Sequence, residues 1–163
     1  MEIDFGTAIL GTILILVCIA PLVLIHYNRV KKEKKILKNI NDNATKHNCK
    51  VTQYEFCGDF VLGLDETRNF VFFFKQRKAE TISLFVDLSE IRNCQAIKTT
   101  RDVKKDSASN TIYQQIELRF IPKNKGITET SFELFDETEN AQLSGELQFV
   151  EKWSKLINDR LKH

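Results

Sequence analysis

One uninterrupted apolar run near the N-terminus constrains this chain more than any other feature of its sequence. It extends from Thr7 to Ile25 and reads TAILGTILILVCIAPLVLI, which is 19 residues without a charge. At about 1.5 Å of rise per residue, a helix of this length covers roughly 28 Å, close to the hydrocarbon thickness of a bilayer. Pro21 is compatible with this interpretation, since transmembrane helices tolerate proline. The run therefore predicts one membrane-spanning helix.

A cleaved secretory signal is an alternative interpretation of such a run. The preceding residues include Glu2 and Asp4 and no Lys or Arg, whereas secretory signals begin with a basic segment. No small-x-small cleavage site follows the run. A lipoprotein site at Cys18 also fits poorly, because Leu16 and Val17 stand where small residues would be expected. We expect the helix to be kept as an uncleaved signal anchor.

The charges on the two sides of the run predict its direction. The N-terminal flank is acidic, whereas the C-terminal flank has six basic residues and the single acid Glu33. Cytoplasmic flanks of membrane helices carry an excess of Lys and Arg. We therefore expect a single-pass protein of the cell membrane, inner or plasma, with its N-terminus outside and its C-terminal domain cytoplasmic. The basic residues are Arg29, Lys31, Lys32, Lys34, Lys35 and Lys38.

This basic segment supports two interpretations. As a determinant of topology it needs no further function. Alternatively, its six basic residues also contact anionic lipid headgroups, at roughly 1 kcal/mol per residue near the surface. From Cys49 to the end the chain has 17 basic and 18 acidic residues, a net charge of −1 (17 − 18). Because a nucleic-acid-binding domain normally carries positive charge on its fold, we expect no nucleic-acid partner.

The sequence divides into three parts. Residues 1–27 form the N-terminal tail and transmembrane helix, residues 28–48 a basic juxtamembrane helix or linker, and residues 49–163 a strand-rich domain. The middle part has a narrow apolar stripe at helical spacing, which favours a helix that continues the membrane span. The stripe is compatible with docking on the domain or with pairing to a second copy. It consists of Ile36, Leu37, Ile40 and Ala44.

After Cys49 the apolar period changes from helical to two, which predicts strands. The clearest signal is Thr81–Leu88, in which every second residue is apolar. In Asn69–Gln76 phenylalanines fall on both faces, as expected where a bent sheet is buried on both sides. In the last strand, Phe132 and Leu134 are expected to point inward. The predicted strands are Cys49–Cys57, Asp59–Leu64, Asn69–Gln76, Thr81–Leu88, Ile91–Thr100, Thr111–Ile121 and Ile127–Asp136.

Two further segments complete the pattern. Arg101–Asn110 is charged and rich in Ser and Asn, which predicts a flexible loop. Gly145–Lys162 is amphipathic, which predicts a C-terminal helix with Trp153 on its apolar face. Ser144 suits the N-cap of this helix.

This order of elements resembles the pleckstrin-homology-like fold, in which two bent sheets form an open barrel and the final helix plugs one end. The stretch that carries the likeness is NFVFFFKQRKAETISLFVDLSEIRNC, Asn69 to Cys94, in which a strand leads through Asp87-Leu88-Ser89-Glu90-Ile91 into the next one. Many bacterial membrane-attached proteins with such domains show a similar step. The resemblance covers about residues 49–162. The expected fold is a transmembrane α-helix plus an α+β domain, a barrel of about seven antiparallel strands capped by an amphipathic helix.

The resemblance implies a scaffold that binds lipids, peptides or partner proteins without catalysis of its own. Members of the family that recognise phosphoinositides use a basic cluster in the loop between their first two strands. Here that loop is Gly58-Asp59, which is short and acidic. Inositol-phosphate recognition therefore does not fit this chain.

Signatures of catalysis and of metal binding are absent from the sequence. It contains no G-x-S-x-G, P-loop, H-E-x-x-H or G-x-G-x-x-G motif. The four cysteines (Cys18, Cys49, Cys57 and Cys94) form no C-x-x-C, and His47-x-Cys49 is the nearest approach to a metal-binding pair. We expect reduced, partly buried thiols in a reducing compartment. No catalytic residue, metal or cofactor is predicted.

Two clusters of basic residues in predicted loops are candidate contact sites for lipid headgroups. Lys75, Arg77 and Lys78 lie at one hairpin, and Arg101, Lys104 and Lys105 lie in the longest loop. The alternative is that these side chains are simply solvated.

The sequence thus predicts a membrane-anchored, non-enzymatic binding or assembly module of unknown ligand, acting at the cytoplasmic membrane surface. A structural subunit of a larger membrane protein complex is the alternative, with the apolar helix and the stripe from Ile36 to Ala44 as its contacts. Membrane lipids are the expected partners of the anchor. The sequence specifies neither protein partners nor an oligomeric state.

Overall fold

The computed structural model describes residues 5–77, 80–105, 108–124, 126–140 and 142–162. The chain divides into two compact units, residues 1–38 and residues 39–163. In chain order the elements are helix α1 (Phe5–Lys46), strands β1 (Gln53–Cys57), β2 (Phe60–Asp65), β3 (Phe70–Gln76) and β4 (Thr81–Asp87), a 3-10 turn (Leu88–Glu90), strands β5 (Ile91–Lys105), β6 (Ala108–Pro122) and β7 (Thr130–Asp136), and helix α2 (Glu146–Leu161).

Helix α1 runs without interruption from the apolar run through the basic segment, with Pro21 inside it. This confirms the predicted helix that continues beyond the apolar run. Among the described residues, α1 is the one helix that is long and apolar enough to cross a membrane. Leu14, Val17 and Ile25 of its apolar part are 66%, 67% and 66% exposed. Exposed apolar surface of this extent marks a site of interaction with a membrane or with another protein.

The seven strands form two antiparallel sheets, in the orders β1-β2-β3-β4 and β5-β6-β7. The predicted strand number and C-terminal helix are confirmed, but the sheets do not close into a barrel. The chain leaves the first sheet after β4, where the Asp87 carboxylate accepts a hydrogen bond from the Ser89 N–H at 2.8 Å and starts the 3-10 turn. Strand β5 then pairs with β6 and not with β4, so each sheet keeps its own edges.

The main core fills the space between the two sheets and α2. On the inner face of the first sheet, the Phe73 ring stacks on Phe132 of β7 with 5.1 Å between centroids. Phe60 meets Phe149 of α2 edge-to-face at 5.0 Å, and Trp153 is fully buried beside it. Phe132 and Leu134 point inward, as predicted. Helix α2 therefore packs with its apolar side, which includes Phe149 and Trp153, against the inner face of the first sheet.

The start of α2 differs from the expectation that Ser144 is its N-cap. The cap residue is Gly145, whose φ of 114° is a left-handed conformation that favours glycine, and none of the described side chains caps the helix. The Glu146 carboxylate instead accepts a hydrogen bond from the Ser144 N–H. The predicted cap was wrong because a glycine turn, and not a serine hydroxyl, sets the direction in which α2 begins.

The outer face of the first sheet is covered by the last turns of α1 and the residues that follow them. Ile40 and Ala44 are fully buried within the second unit, so this part of the apolar stripe docks on the domain. The approach is close at Gly63 of β2, where a Cβ would lie 2.9 Å from Val51 Cγ1 and 3.0 Å from Ile40 Cδ1. Because both faces of the sheet are buried, β3 carries phenylalanines on its inner face and on its outer face.

The predicted flexible loop Arg101–Asn110 was wrong. Strands β5 and β6 continue through it as a hairpin, with Arg101 opposite Ile112 and Lys105 opposite Ala108, and residues 106–107 lie outside the described chain. Cross-strand pairing overrides the loop-like composition of this segment. Strand β6 pairs with β7 only over Gln115–Phe120, so the end of the hairpin extends beyond the third strand of its sheet.

Candidate functional site

Strand β4 is an edge of the first sheet, and its hydrogen-bonding pattern shows which backbone groups are free. At the two ends of the β3–β4 ladder, the Leu88 N–H donates to Asn69 O (2.8 Å) and the Arg77 N–H donates to Glu80 O (2.9 Å). Hydrogen-bonded pairs alternate along an antiparallel ladder. With the observed register, the backbone groups of Ile82, Leu84 and Val86 therefore point towards β3.

The intervening residues Thr81, Ser83 and Phe85 direct their N–H and C=O groups away from β3. Within the described parts of the chain, no strand is hydrogen-bonded to β4 on that side. From Thr81 to Val86 the strand has no charged residue and no proline, and its register with β3 has no bulge. Natural sheets usually protect their edges with such features. The β4 edge is therefore an unprotected row of backbone donors and acceptors.

A cleft of about 470 Å³ lies beside this edge, on the outer face of the sheet. Its floor consists of Phe74 and of the side chains at the three free positions of β4, and its wall is the end of α1. The Asn43 amide donates a hydrogen bond to Ser83 Oγ at 2.8 Å and fixes wall to floor. The residues that line the cleft are Asn39, Asp42, Asn43, Lys46, Phe74, Thr81, Ser83 and Phe85.

The cleft combines polar groups with one exposed aromatic ring. Phe85 is 43% exposed, and its ring centroid lies 4.0 Å from that of His47. Asp42 and Lys46, one turn apart on α1, add one charge of each sign. Small-molecule sites are mostly concave and apolar, whereas an extended peptide can add a strand to a free edge and place alternate side chains in an adjoining groove. The geometry suits the second kind of ligand.

Two of the candidate headgroup contacts at the β3–β4 hairpin, Lys75 and Arg77, lie in an ion cluster. Lys75 is fully buried, with its Nζ 3.6 Å from both Glu133 Oε1 and Glu139 Oε2. The Arg77 guanidinium pairs with Glu80, Glu133 and Glu139. Burial alone would lower the pKa of Arg77, but the carboxylates of Glu133 and Glu139 outweigh it and raise that pKa. The cluster joins β3 to β7 across the two sheets.

The other candidate contacts are distributed over both units. Arg101 pairs with Glu137, while Lys78 and the side chains of Lys104 and Lys105 lie outside the described part. The six basic residues of the basic segment, Arg29 to Lys38, are all exposed, and of these Arg29 pairs with Glu33 at 2.9 Å. Headgroup contact by these residues stays a prediction. The ammonium of Lys75, however, is not accessible to a headgroup in this conformation.

The cysteines of the second unit are buried and free. Burial raises the pKa of both Cys57 and Cys94 to about 12, and burial followed by the charge of Asp65 raises the pKa of Cys49. Because the thiolate is the reactive and metal-binding form, these thiols are poor nucleophiles at neutral pH. Within the described residues, no group of three or more His, Cys, Asp or Glu side chains could hold a metal ion.

Sequence reasoning did not identify the cleft. One signal was present, because the alternation in β4 placed Thr81, Ser83 and Phe85 on a single face and included an aromatic residue on it. The other half of the site comes from the end of α1, where Asn43 precedes its partner Ser83 by 40 positions in the chain. No local pattern indicates that pairing.

Comparison of the chain with protein-family models, with curated proteins and with solved structures finds no match.

Proposed function

We propose that this chain is a membrane-anchored, non-enzymatic binding or assembly module that acts at the cytoplasmic membrane surface. The observation that carries the proposal is the free edge of β4, uncharged from Thr81 to Val86, beside an open cleft. We assign the domain to the pleckstrin-homology-like folds of bacterial membrane-attached proteins. A four-stranded sheet, a three-stranded sheet and a final helix, in that chain order, support this assignment.

The membrane anchor is supported by the exposed apolar part of α1. Side chains such as Leu14, Val17 and Ile25 have no cover from the part of the protein that the structure describes. The six exposed basic residues that follow support the orientation with the C-terminal domain in the cytoplasm. The domain is in this view a tethered module, and its ligand is another component at the same surface.

The ligand that fits the site is an extended segment of a partner protein. The free N–H and C=O groups of Thr81, Ser83 and Phe85 provide main-chain hydrogen bonds to such a segment. Alternate side chains of the segment would enter the cleft, where Asn39 and Asn43 offer amides and Asp42 and Lys46 offer one charge of each sign. Affinity then comes from the backbone and selectivity from the cleft.

Replacement of Ser83 tests this proposal. Ser83→Pro removes the N–H that points away from β3, and proline is tolerated in edge strands where the N–H faces solvent. Ser83→Ala is the matched control, because it loses the hydroxyl bonded to Asn43 but keeps the N–H. The full-length protein is purified with its partners from the membranes of the cells that produce it, and stoichiometric partners are identified.

We expect the wild type and Ser83→Ala to retain the partner. The amount of partner recovered with Ser83→Pro should be at least tenfold lower. Retention of the same partner by Ser83→Pro would overturn binding at the β4 edge. Recovery of a second copy of the chain in place of a different protein would show that the edge serves self-association.

A structural subunit of a larger membrane complex is the second candidate, and the exposed apolar face of α1 favours it. Ile40 and Ala44 do not support it, since both are buried within the chain's own domain. If partners are retained by Ser83→Pro but lost when Leu14, Val17 and Leu24 are replaced by alanine, the contacts lie on the helix and this second candidate is favoured.

A further inference from the structure

The basic segment lies inside helix α1, so helical geometry decides which of its residues share a face. At about 100° per residue, four lysines fall within an arc of about 100°. Arg29 points to the opposite side, and Lys32 lies outside the arc by about 60°. We call this arc the lysine face. It consists of Lys31, Lys34, Lys35 and Lys38, all of them exposed.

The lysine face carries an uncompensated positive charge. The only acid in the segment, Glu33, lies on the side of Arg29 and forms an ion pair with it at 2.9 Å. In the described ranges, none of the four lysines forms an ion pair with a carboxylate. The segment is therefore not a uniform belt of charge: one side is partly neutralised and the other is fully cationic.

We propose that the lysine face binds the phosphate groups of anionic lipids in the leaflet from which α1 emerges. The inference rests on the proposed function, since it takes α1 as the membrane anchor. The occupant follows from continuity and charge. Lys31, the nearest of the four, comes four residues after the exposed Tyr27, which is about 6 Å along the helix axis and within the screening length of physiological salt, about 8 Å. The other three lie about 10 to 17 Å along the axis, so they reach the headgroups when α1 leans to their side.

The arrangement gives the anchor a preferred lipid neighbour and a preferred side. A juxtamembrane lysine near an anionic surface contributes about fivefold to the binding constant, and two such residues contribute up to about thirtyfold. Because the four lysines share a side, α1 leans towards the headgroups with that side. Charges spread evenly around the helix would attract the same lipids without a preferred direction.

Two double variants that remove the same charge separate the lysine face from the rest of the segment. Lys31→Gln with Lys35→Gln removes two charges from the lysine face. Arg29→Gln with Lys32→Gln removes two charges from outside it, at positions closer to the apolar run. The purified full-length proteins are equilibrated in mixed micelles of phosphatidylcholine and a minor fraction of phosphatidylglycerol, and the lipid retained with each protein is quantified by mass spectrometry.

We expect the wild type to retain phosphatidylglycerol in excess of its share. The double variant on the lysine face should lower this enrichment by tenfold or more, and the Arg29 and Lys32 variant by less than threefold. If both double variants lost the same enrichment, or if the Arg29 and Lys32 variant lost more, binding by the lysine face would be overturned. Closeness of a basic residue to the apolar run would then be enough to explain the attraction of phosphatidylglycerol. Since the purified protein is measured, altered insertion in cells does not affect the result.

A further arm distinguishes lipid from free phosphate. Inorganic phosphate, compared with chloride at equal ionic strength, should leave the enrichment of phosphatidylglycerol unchanged. Displacement by inorganic phosphate would instead identify a site for soluble anions. Neither result depends on the partner retention tested with Ser83→Pro, so the proposed function and the lipid preference can fail separately.

Discussion

The two faces of the first sheet are both buried, but they are buried in different ways. The inner face meets the second sheet and α2 in one continuous hydrophobic core. The outer face is covered by two turns of α1 and the segment after them. This cover touches β4 through Asn43 on Ser83 and His47 on Phe85, and it leaves the cleft beside the strand open. The comparison indicates that stability is concentrated on the inner face. The outer face combines a smaller packing surface with the open cleft and its free edge.

The largest effect is expected from the inner face. Trp153 is fully buried, and its Nε1 donates to Glu55 Oε2 at 2.8 Å. Trp153→Ala should lower the free energy of unfolding by about 3–5 kcal/mol, measured by urea denaturation of the full-length protein in nanodiscs. Trp153→Phe is the control and should cost less, because it keeps most of the packing. A midpoint unchanged by Trp153→Ala would show that α2 is not docked.

A smaller effect is expected where the outer face is most crowded. Gly63→Ala places a Cβ within 3.0 Å of Val51 Cγ1 and Ile40 Cδ1, so these two side chains must shift. We expect a loss of about 2 kcal/mol, typical of overpacking, in the same denaturation measurement. Gly126→Ala is the matched control, since its added Cβ meets nothing closer than 3.7 Å. Equal stability of the two variants would contradict the close approach of α1 to the sheet.

A still smaller effect is expected at Asp65, which fastens the segment after α1 to the outer face. Burial alone would raise the pKa of its carboxyl, but hydrogen bonds from the N–H groups of Lys50, Arg68 and Thr67 outweigh this and lower that pKa. A carboxyl of this kind stabilises the fold above its unfolded pKa of about 4 and loses that contribution as the pH falls through its folded pKa.

Asp65→Asn should therefore cost about 1.5 kcal/mol at neutral pH, and the cost should shrink as the pH falls below about 4. Urea denaturation at a series of pH values measures this dependence. Glu90→Gln, which removes one carboxylate at an exposed position, is the matched control. A cost of Asp65→Asn that stays constant down to pH 3 would refute the role assigned to the carboxylate.

The two faces also differ in how far the sequence predicts them. The period of two identified all seven strands, and the amphipathic pattern identified α2, because these signals are local. Lys75 shares its side of β3 with Val71 and Phe73, so its burial could have been read from the same alternation. The outer cover was harder to predict, since it depends on Gly63 leaving room for Ile40 and on Asn43 reaching Ser83.

The remaining differences have two origins, pairing across a hairpin and a turn at the end of β4. Strands β5 and β6 extend through a loop-like composition because each residue gains a partner across the hairpin. The sheets stay open between β4 and β5 because Asp87 turns the chain at Ser89 before the two strands could pair. That open boundary leaves the β4 edge free, and the proposed function depends on it.

Residue-resolved amide exchange on β4 of the full-length protein tests the free edge most directly. The N–H groups of Ile82, Leu84 and Val86 should be protected by β3, whereas those of Thr81, Ser83 and Phe85 should exchange at least a hundredfold faster. Addition of the partner should slow the exchange of the Thr81, Ser83 and Phe85 amides and leave the exchange rates of the other three unchanged. Equal protection of all six amides in the unbound protein would contradict the account, because the edge would then already be occupied.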